Sequence, residues 1–357
     1  MKNPLRLSSI DALRGLTVAA MLLVNNAGDW DHVYAWLEHA EWNGCTPADF
    51  IFPFFLFIVG VSLHLALAPK LERNTDLVEL SRSVVGRGLR IFALGLALHL
   101  IAYWLIEGRQ FRLMGVLQRI GICFAIVGMI VIHVRSVKIQ WLIIAAILIG
   151  YGTLLLASGS LQPDLNLVDK IDSLLLGKLA YSFNPMTGLA HEPEGLLSTL
   201  PSIATVLLGL QAGRWLRNGQ AKYLWQAGLL ALLAGYLSAY LIPLNKQLWT
   251  PSFVLWTAGF AYLCMSVAHV LIDMRGMPAV GRSFGINAIA AYAGSWVATC
   301  VLAAGGWAEP VYRTLFASPL AAHFGPEFAS FAYAAAFTGV FALLMWLFKL
   351  RGWRITV

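Results

Sequence analysis

Apolar residues come along this chain in runs of roughly twenty, the length a helix needs to cross the hydrocarbon core of a bilayer, with short polar stretches between them. Ten runs are predicted as spans: residues 12–28, 47–68, 88–106, 116–133, 141–157, 200–216, 223–242, 253–272, 284–304 and 328–348. The expected architecture is all-α: a polytopic integral membrane helical bundle of about ten transmembrane helices, a single transmembrane domain over residues 1–357. Composition agrees, because 59% of the residues are hydrophobic and 12% charged, whereas a soluble domain carries about 25% charged residues.

Lys and Arg fall unequally on the two sides of this topology. Seven of the 25 lie on one side, namely Arg109, Arg112, Arg119, Lys170, Lys178, Lys246 and Arg313; the other 18 lie opposite, from Lys2 and Arg6 to Arg354. Basic loops stay in the cytoplasm, so both termini are expected there. The net charge of +7 is then explained by anionic lipid headgroups, without nucleic acid. Cys45, Cys123, Cys264 and Cys300 are far apart, show no metal-ligand spacing and read as small buried hydrophobes. The first apolar run follows basic residues as a signal peptide would, but it lacks a small-x-small cleavage site and leads into further spans. It is read as an uncleaved first helix.

Ionisable groups inside spans are expensive and point to function, and here they gather in four places. The first is Ser9 to Leu16, where Ser9 or Asp11 suits a helix start and Asp11 with Arg14 suits an ion pair three residues apart. The second runs from Asn25 and Asn26 through Glu38, His39, Glu41, Trp42, Asn43 and Asp49. An imidazole beside carboxylates is a candidate general base, while Thr46-Pro47 reads as a helix start with Asp49 in its first turn. The third holds Arg112, Gln118 and Arg119. Arg119 needs a carboxylate, a carbonyl or water, and the two arginines share a face if the helix extends that far. The fourth joins two outer loops, His191 to Pro201 with Glu194, and Pro243 to Thr250 with Lys246 and Trp249. Carboxylates, a lysine and a tryptophan there suit a sugar, and Trp249 alone suits interfacial anchoring. Asn287, inside the ninth span, needs a polar partner or serves close helix packing.

At these places the chain resembles the heparan-α-glucosaminide N-acetyltransferase family of transmembrane acyltransferases, bacterial members included. The matching runs are Ser9 to Leu16, Val24-Asn25-Asn26, His39-Ala40-Glu41-Trp42-Asn43-Gly44 with Ala48-Asp49, Gly115-Val116-Leu117-Gln118-Arg119, Pro193 to Thr199, and Asn245-Lys246-Gln247-Leu248-Trp249-Thr250. They span nearly the whole chain in the family's order, and the histidine-containing run is the most specific.

The resemblance implies transfer of an acetyl group from cytosolic acetyl-CoA to the amine of a terminal glucosamine across the membrane. By motif, the catalytic histidine corresponds to His39 and a nearby asparagine to Asn25. His39 is then the general base and Asn25 holds the thioester carbonyl or its oxyanion, while Glu194 and Asp49 orient His39 or hold the sugar. The expected acceptor site is Asn26, Trp42, Asn43, Asp49, Arg112, Gln118, Arg119, Glu194, Lys246, Trp249 and Asn287. The expected CoA site is Arg14, Arg87, Arg90 and Arg282, with acetyl-CoA as co-substrate and no metal. The large luminal domain of the animal enzyme does not precede this membrane core, which suggests a smaller amino sugar or cell-surface glycan and a bacterial inner membrane. Partners are then the acceptor, acetyl-CoA and lipid; a homodimer is an open option, as is an acetyl-histidine intermediate. A sugar transporter and a glycan O-acetyltransferase stand as alternatives.

Overall fold

A computed structural model describes residues 7–73 and 75–355, so Lys2 and Arg6 of the basic count lie outside the described residues. Ten long helices run back and forth: α1 (Ser8–Val24), α2 (Ile51–Glu72), α3 (Leu77–Leu105), α4 (Val116–His133), α5 (Val137–Ala157), α7 (Thr199–Arg217), α8 (Lys222–Ala239), α9 (Pro251–Ala268), α11 (Ala288–Ala304) and α14 (Pro326–Leu350). Each overlaps one predicted span, although α3 starts at Leu77, well before the predicted residue 88. Short helices fill the connections: α6 (Leu167–Leu175), α10 (Arg282–Ile286), α12 (Ala308–Tyr312) and α13 (Ser318–Phe324). Among the described residues the strands are a two-residue antiparallel pair, β1 (Ser182–Phe183) and β2 (Ala190–His191).

Six helical segments, those containing α2, α3, α4, α5, α9 and α14, are long and apolar enough to cross a bilayer unaided. A seventh span results if α11 and residues 308–324, bent by 97° at their break, count as one. The remaining predicted spans are helical but fall short for local reasons. α1 has 17 residues, and α7 carries Ser202, Thr205, Gln211, Arg214 and Arg217. Those polar groups are tolerated because α7 is buried almost all round, so protein shields it from lipid.

α7 owes its central place to close packing against α2. A Cβ at Gly60 would come within 2.0 Å of the Val206 carbonyl, and one at Gly209 within 1.9 Å of the Phe57 carbonyl. Only glycine allows that approach, the usual device where packing rather than hydrophobicity joins membrane helices. α8 presents Trp225, Leu229, Leu230, Leu233 and Leu237 outward, a surface suited to lipid. Ile355, which follows α14, and Arg14 of α1 line the same cavity.

Candidate active site

His39 reaches the site from the loop after α1, Asp49 from the turn that opens α2, and Lys246 from the loop between α8 and α9. The sequence at Thr46 makes this possible. The expected helix start is there, and Thr46 and Asp49 close it with a capping box on a short turn, Pro47–Phe50, that leads into α2; Asp49 Oδ2 accepts from the Thr46 amide at 3.0 Å, the Ala40 amide at 3.1 Å and the Thr46 hydroxyl at 3.1 Å. One carboxylate oxygen is thus consumed in fixing the loop that carries His39. The other, Oδ1, lies 2.9 Å from His39 Nδ1 and 3.3 Å from Lys246 Nζ, ion-pair contacts rather than well-directed hydrogen bonds. Lys246 Nζ is 3.0 Å from His39 Nδ1 and 3.2 Å from Nε2. Asp49 is buried while the His39 side chain is 42% exposed, so the imidazole is held from beneath and open above. Asn245 supports the same loop, donating to Asn43 Oδ1 at 3.2 Å and accepting from the Leu248 amide at 2.8 Å.

Beside this cluster lies a second. Arg112 forms ion pairs with Glu192 and Glu194, its Nε donates to Glu192 at 2.9 Å, and its guanidinium lies 4.8 Å from the centre of the Tyr181 ring. Arg119 is fully buried, donates to the Gly195 carbonyl at 3.1 Å and to the Ser198 hydroxyl, and sits 5.1 Å from the Trp249 ring centre. It has therefore found the carbonyl partner it needs. α4 begins at Val116, so Arg112 precedes the helix. The one-face expectation for the two arginines does not hold, although both converge on residues 192–198.

Burial acts on the charges of these loops in opposite senses. It draws the Lys246 ammonium below its ordinary value even though Asp49 and Glu194 favour the charge. It pushes Glu192 up against Arg112, whereas for Glu194 the charges of Arg112, Arg119 and Lys246 outweigh burial and hold the carboxyl low. Lys246 and Glu194 thereby link the two clusters.

On the opposite face, α1, α2, α3, α4, α10 and α11 enclose a mainly apolar cavity of about 230 Å³. Arg14, Lys70 and Arg87 lie in its wall with Ser62 and Ser83. Arg14 pairs with Asp11 at 3.4 Å, as expected, and donates to Ser62 Oγ at 2.6 Å and the Gly285 carbonyl at 3.1 Å. Arg87 lies 5.3 Å from the Phe124 ring centre. Leu117 belongs to this wall and also to a much smaller cavity lined by His99, Gln118, Tyr292 and Trp296.

The structure does not bring all the predicted residues together. Asn25 caps the end of α1 and is exposed, with no side-chain hydrogen bond to His39 among the described residues. Asn26 donates to the Leu22 carbonyl and accepts from Thr299 at 2.6 Å, joining α1 to α11. Trp42 donates to the Leu161 carbonyl at 2.9 Å and tilts against His191. Gln118 donates to the Leu113 carbonyl at 3.1 Å from a buried position. Trp249, expected at the membrane surface, is buried, because its indole donates to Thr205 at 3.2 Å and its ring packs on Phe52 and Phe253. Asn287 lies on the opposite face from His39. Its amide donates to the Trp353 carbonyl at 3.2 Å and accepts from the Ile355 amide at 3.0 Å, which ties down the C-terminal segment. Arg90 and Arg282 are absent from the cavity wall, and Lys70, not anticipated, is in it.

The sequence reading also missed a cluster in the connection between α5 and α7. His191 Nδ1 contacts Asp169 at 2.7 Å and its Nε2 contacts Gln247 Oε1 at 3.0 Å. Asp172 Oδ1 accepts from the Leu196 amide at 3.0 Å, and burial raises its carboxyl to about 7. The available signal was length: residues 158–199 separate two predicted spans, and long connections in compact domains are usually functional.

The catalytic model of the heparan-alpha-glucosaminide N-acetyltransferases matches residues 6–242, which takes in His39, Asp49, Arg112, Arg119 and Glu194. The heparan-alpha-glucosaminide N-acetyltransferase of Homo sapiens is 28% identical over 353 residues, 82% of this chain and 53% of that protein. The mouse protein of the same name is 29% identical over 352 residues, 81% and 53% respectively. The chain therefore spans about half the length of these curated relatives. With its helical membrane body and a match over well more than half its length, this chain belongs to the heparan-alpha-glucosaminide N-acetyltransferase catalytic family.

Proposed function

We propose that this chain is an acetyl-CoA-dependent N-acetyltransferase that acetylates the amine of a glucosamine or terminal glucosaminide on the far side of a bacterial inner membrane. The observation that carries the reading is the position of α2. One end is preceded by Asp49, which holds His39, and the other brings Lys70 to a cavity also lined by Arg14 and Arg87. A helix of 22 residues covers about 33 Å at 1.5 Å per residue, close to the roughly 30 Å thickness of the hydrocarbon core. Both ends of the reaction are thus served by one rigid element.

The cavity suits the donor. Its three cations and two hydroxyls match phosphates, which charge-assisted hydrogen bonds favour, and its apolar wall matches an alkyl-amide arm. A volume of about 230 Å³ takes that arm and leaves the nucleotide at the mouth. The small cavity beyond Leu117, with Tyr292 and Trp296, lies toward the Arg112 and Glu194 cluster, and it marks the direction in which the thioester would extend.

At the outer end the acceptor amine gives its proton to His39. The nitrogen attacks the acetyl carbonyl, the carbon–nitrogen bond forms, and the carbon–sulfur bond breaks to release CoA. Asp49 fixes the imidazole, and Lys246, beside it, is the cation for developing negative charge on oxygen. Glu194 and Arg112 offer partners for sugar hydroxyls. Purified protein in detergent should convert labelled acetyl-CoA and glucosamine to labelled N-acetylglucosamine; no labelled product under conditions where the protein binds CoA would sink this reading.

A further inference from the structure

Lys246 is a primary amine already seated where the proposed reaction needs one. Its Nζ is within 3.2 Å of both imidazole nitrogens of His39 and 3.3 Å from Asp49 Oδ1. An incoming glucosamine amine must occupy the same place to give its proton to the imidazole. The lysine comes from the loop held by Asn245, whose amide grips both Asn43 and the Leu248 backbone, so its approach to His39 is built into the fold. The side chain is 19% exposed, which leaves the nitrogen accessible from the site and shields it from bulk water.

The geometry points to Lys246 as an internal acetyl acceptor: with acetyl-CoA bound and no amino sugar present, the enzyme acetylates its own Lys246 and stops. This rests on the transferase reading above. The ammonium loses one proton to solvent, and the freed amine attacks the thioester carbonyl while passing a second proton to His39. The carbon–nitrogen bond forms, the carbon–sulfur bond breaks, and the imidazolium proton leaves with the thiolate as CoA thiol. Burial, which draws the lysine below its ordinary value, makes the neutral amine easier to reach. The product is an amide rather than a thioester, so it does not pass the acetyl group onward. It also places a neutral group against the imidazole where an ammonium stood. Amino sugar in the site displaces the lysine and protects it.

Peptide mapping by mass spectrometry, after incubation of the purified full chain with acetyl-CoA alone, tests this. The expected result is one acetyl group on Lys246 and a matching progressive loss of glucosamine acetylation, both prevented when glucosamine is present from the start. His39→Ala should slow Lys246 acetylation by about 10² to 10⁴, the usual contribution of a general base. Lys246→Arg, which keeps the cation, should lose the time-dependent inactivation whatever its initial rate. Lys246 left unmodified after incubation with acetyl-CoA alone, in protein that acetylates glucosamine when it is supplied, would overturn the inference and leave the transferase reading standing. Equal acetylation of Lys246 in the His39→Ala protein would also overturn it, because that is solution chemistry. Failure of both glucosamine and Lys246 to be acetylated would remove the transferase reading itself.

Discussion

The two ends of α2 gather charge in different ways. At the Asp49 end, outer in the proposed reaction, groups of both signs meet at short range: Asp49 with His39 and Lys246, Arg112 with Glu192 and Glu194. At the Lys70 end, inner in that reaction, Arg14, Lys70 and Arg87 surround an apolar cavity, and Asp11 pairs with Arg14. Proton transfer needs an acid and a base held within hydrogen-bond reach, and loops from distant parts of the chain can bring opposite charges that close. Anion recognition needs one sign spread over a surface, which single residues on separate rigid helices supply. The contrast is what the proposed reaction, divided across a membrane, requires.

The strongest way to break this division is to remove the base. His39→Ala should lower acetyl transfer by about 10² to 10⁴, equivalent to roughly 3 to 5 kcal/mol of barrier, with acetyl-CoA affinity unchanged. Affinity is read by calorimetry and transfer by product formation. A parallel fall in both would show that the outer and inner ends are not separate sites.

Next in size is Arg112→Ala. It leaves Glu192 and Glu194 buried without their cation, and breaking such a pair costs about 3 to 5 kcal/mol. Thermal unfolding in detergent should show a lower Tm, with Arg112→Lys recovering only part of it because an ammonium lacks the bidentate fork. An unchanged Tm would mean the outer cluster is not held together by this pair.

How legible these regions were in the sequence follows from the same contrast. The helices were plain, since hydrophobic runs set the membrane spans, and α7 read as apolar enough despite the polar groups that its buried position tolerates. The helix start at Thr46-Pro47 and the pair of Asp11 with Arg14 are local in sequence and were readable as such. Contacts across long separations were not: Lys246 lies 207 residues from His39, and nothing in either segment alone sets their distance. Trp249 and Asn287 show the converse error. Trp249 sits in a loop whose composition suggests a sugar site and Asn287 within an apolar span, yet three-dimensional packing buries the indole behind Phe52 and turns the amide to the C-terminal segment.

The inner end is tested by smaller losses. Arg14→Gln and Arg87→Gln should each weaken acetyl-CoA binding by about 10- to 100-fold, because a hydrogen bond to a charged group is worth about 1.5 to 3 kcal/mol. At saturating acetyl-CoA the rate of transfer should stay near normal. Arg90→Gln is the internal control, since this exposed side chain lies outside the cavity wall and its Nε reaches only the Gly86 carbonyl. Equal loss in all three would point to diffuse surface charge in place of a cavity with defined cations.

The smallest effect expected is in pH dependence, and it sharpens the comparison by asking what burial alone does at the outer end. Asp172 is completely buried, its Oδ1 accepts from the Leu196 amide, and its Oδ2 packs against Gly195. Burial is the main cause that raises its carboxyl from 3.8 to about 7. The folded protein therefore binds this proton more tightly than the unfolded chain does. For a raised acid, that contribution is present below the unfolded value and is lost as pH rises through the folded one. Between pH 6 and 8 the difference amounts to about a factor of ten in the folding equilibrium, or about 1.4 kcal/mol. Asp172→Asn keeps the shape and an oxygen for the Leu196 amide, and it should hold Tm more nearly constant over that interval, gaining most on the native chain at the alkaline end. The inner pocket offers no matching term, since the arginine guanidiniums in its wall do not titrate in this range. Tm curves that fall in parallel for the native and Asp172→Asn proteins would show that another group sets the pH response.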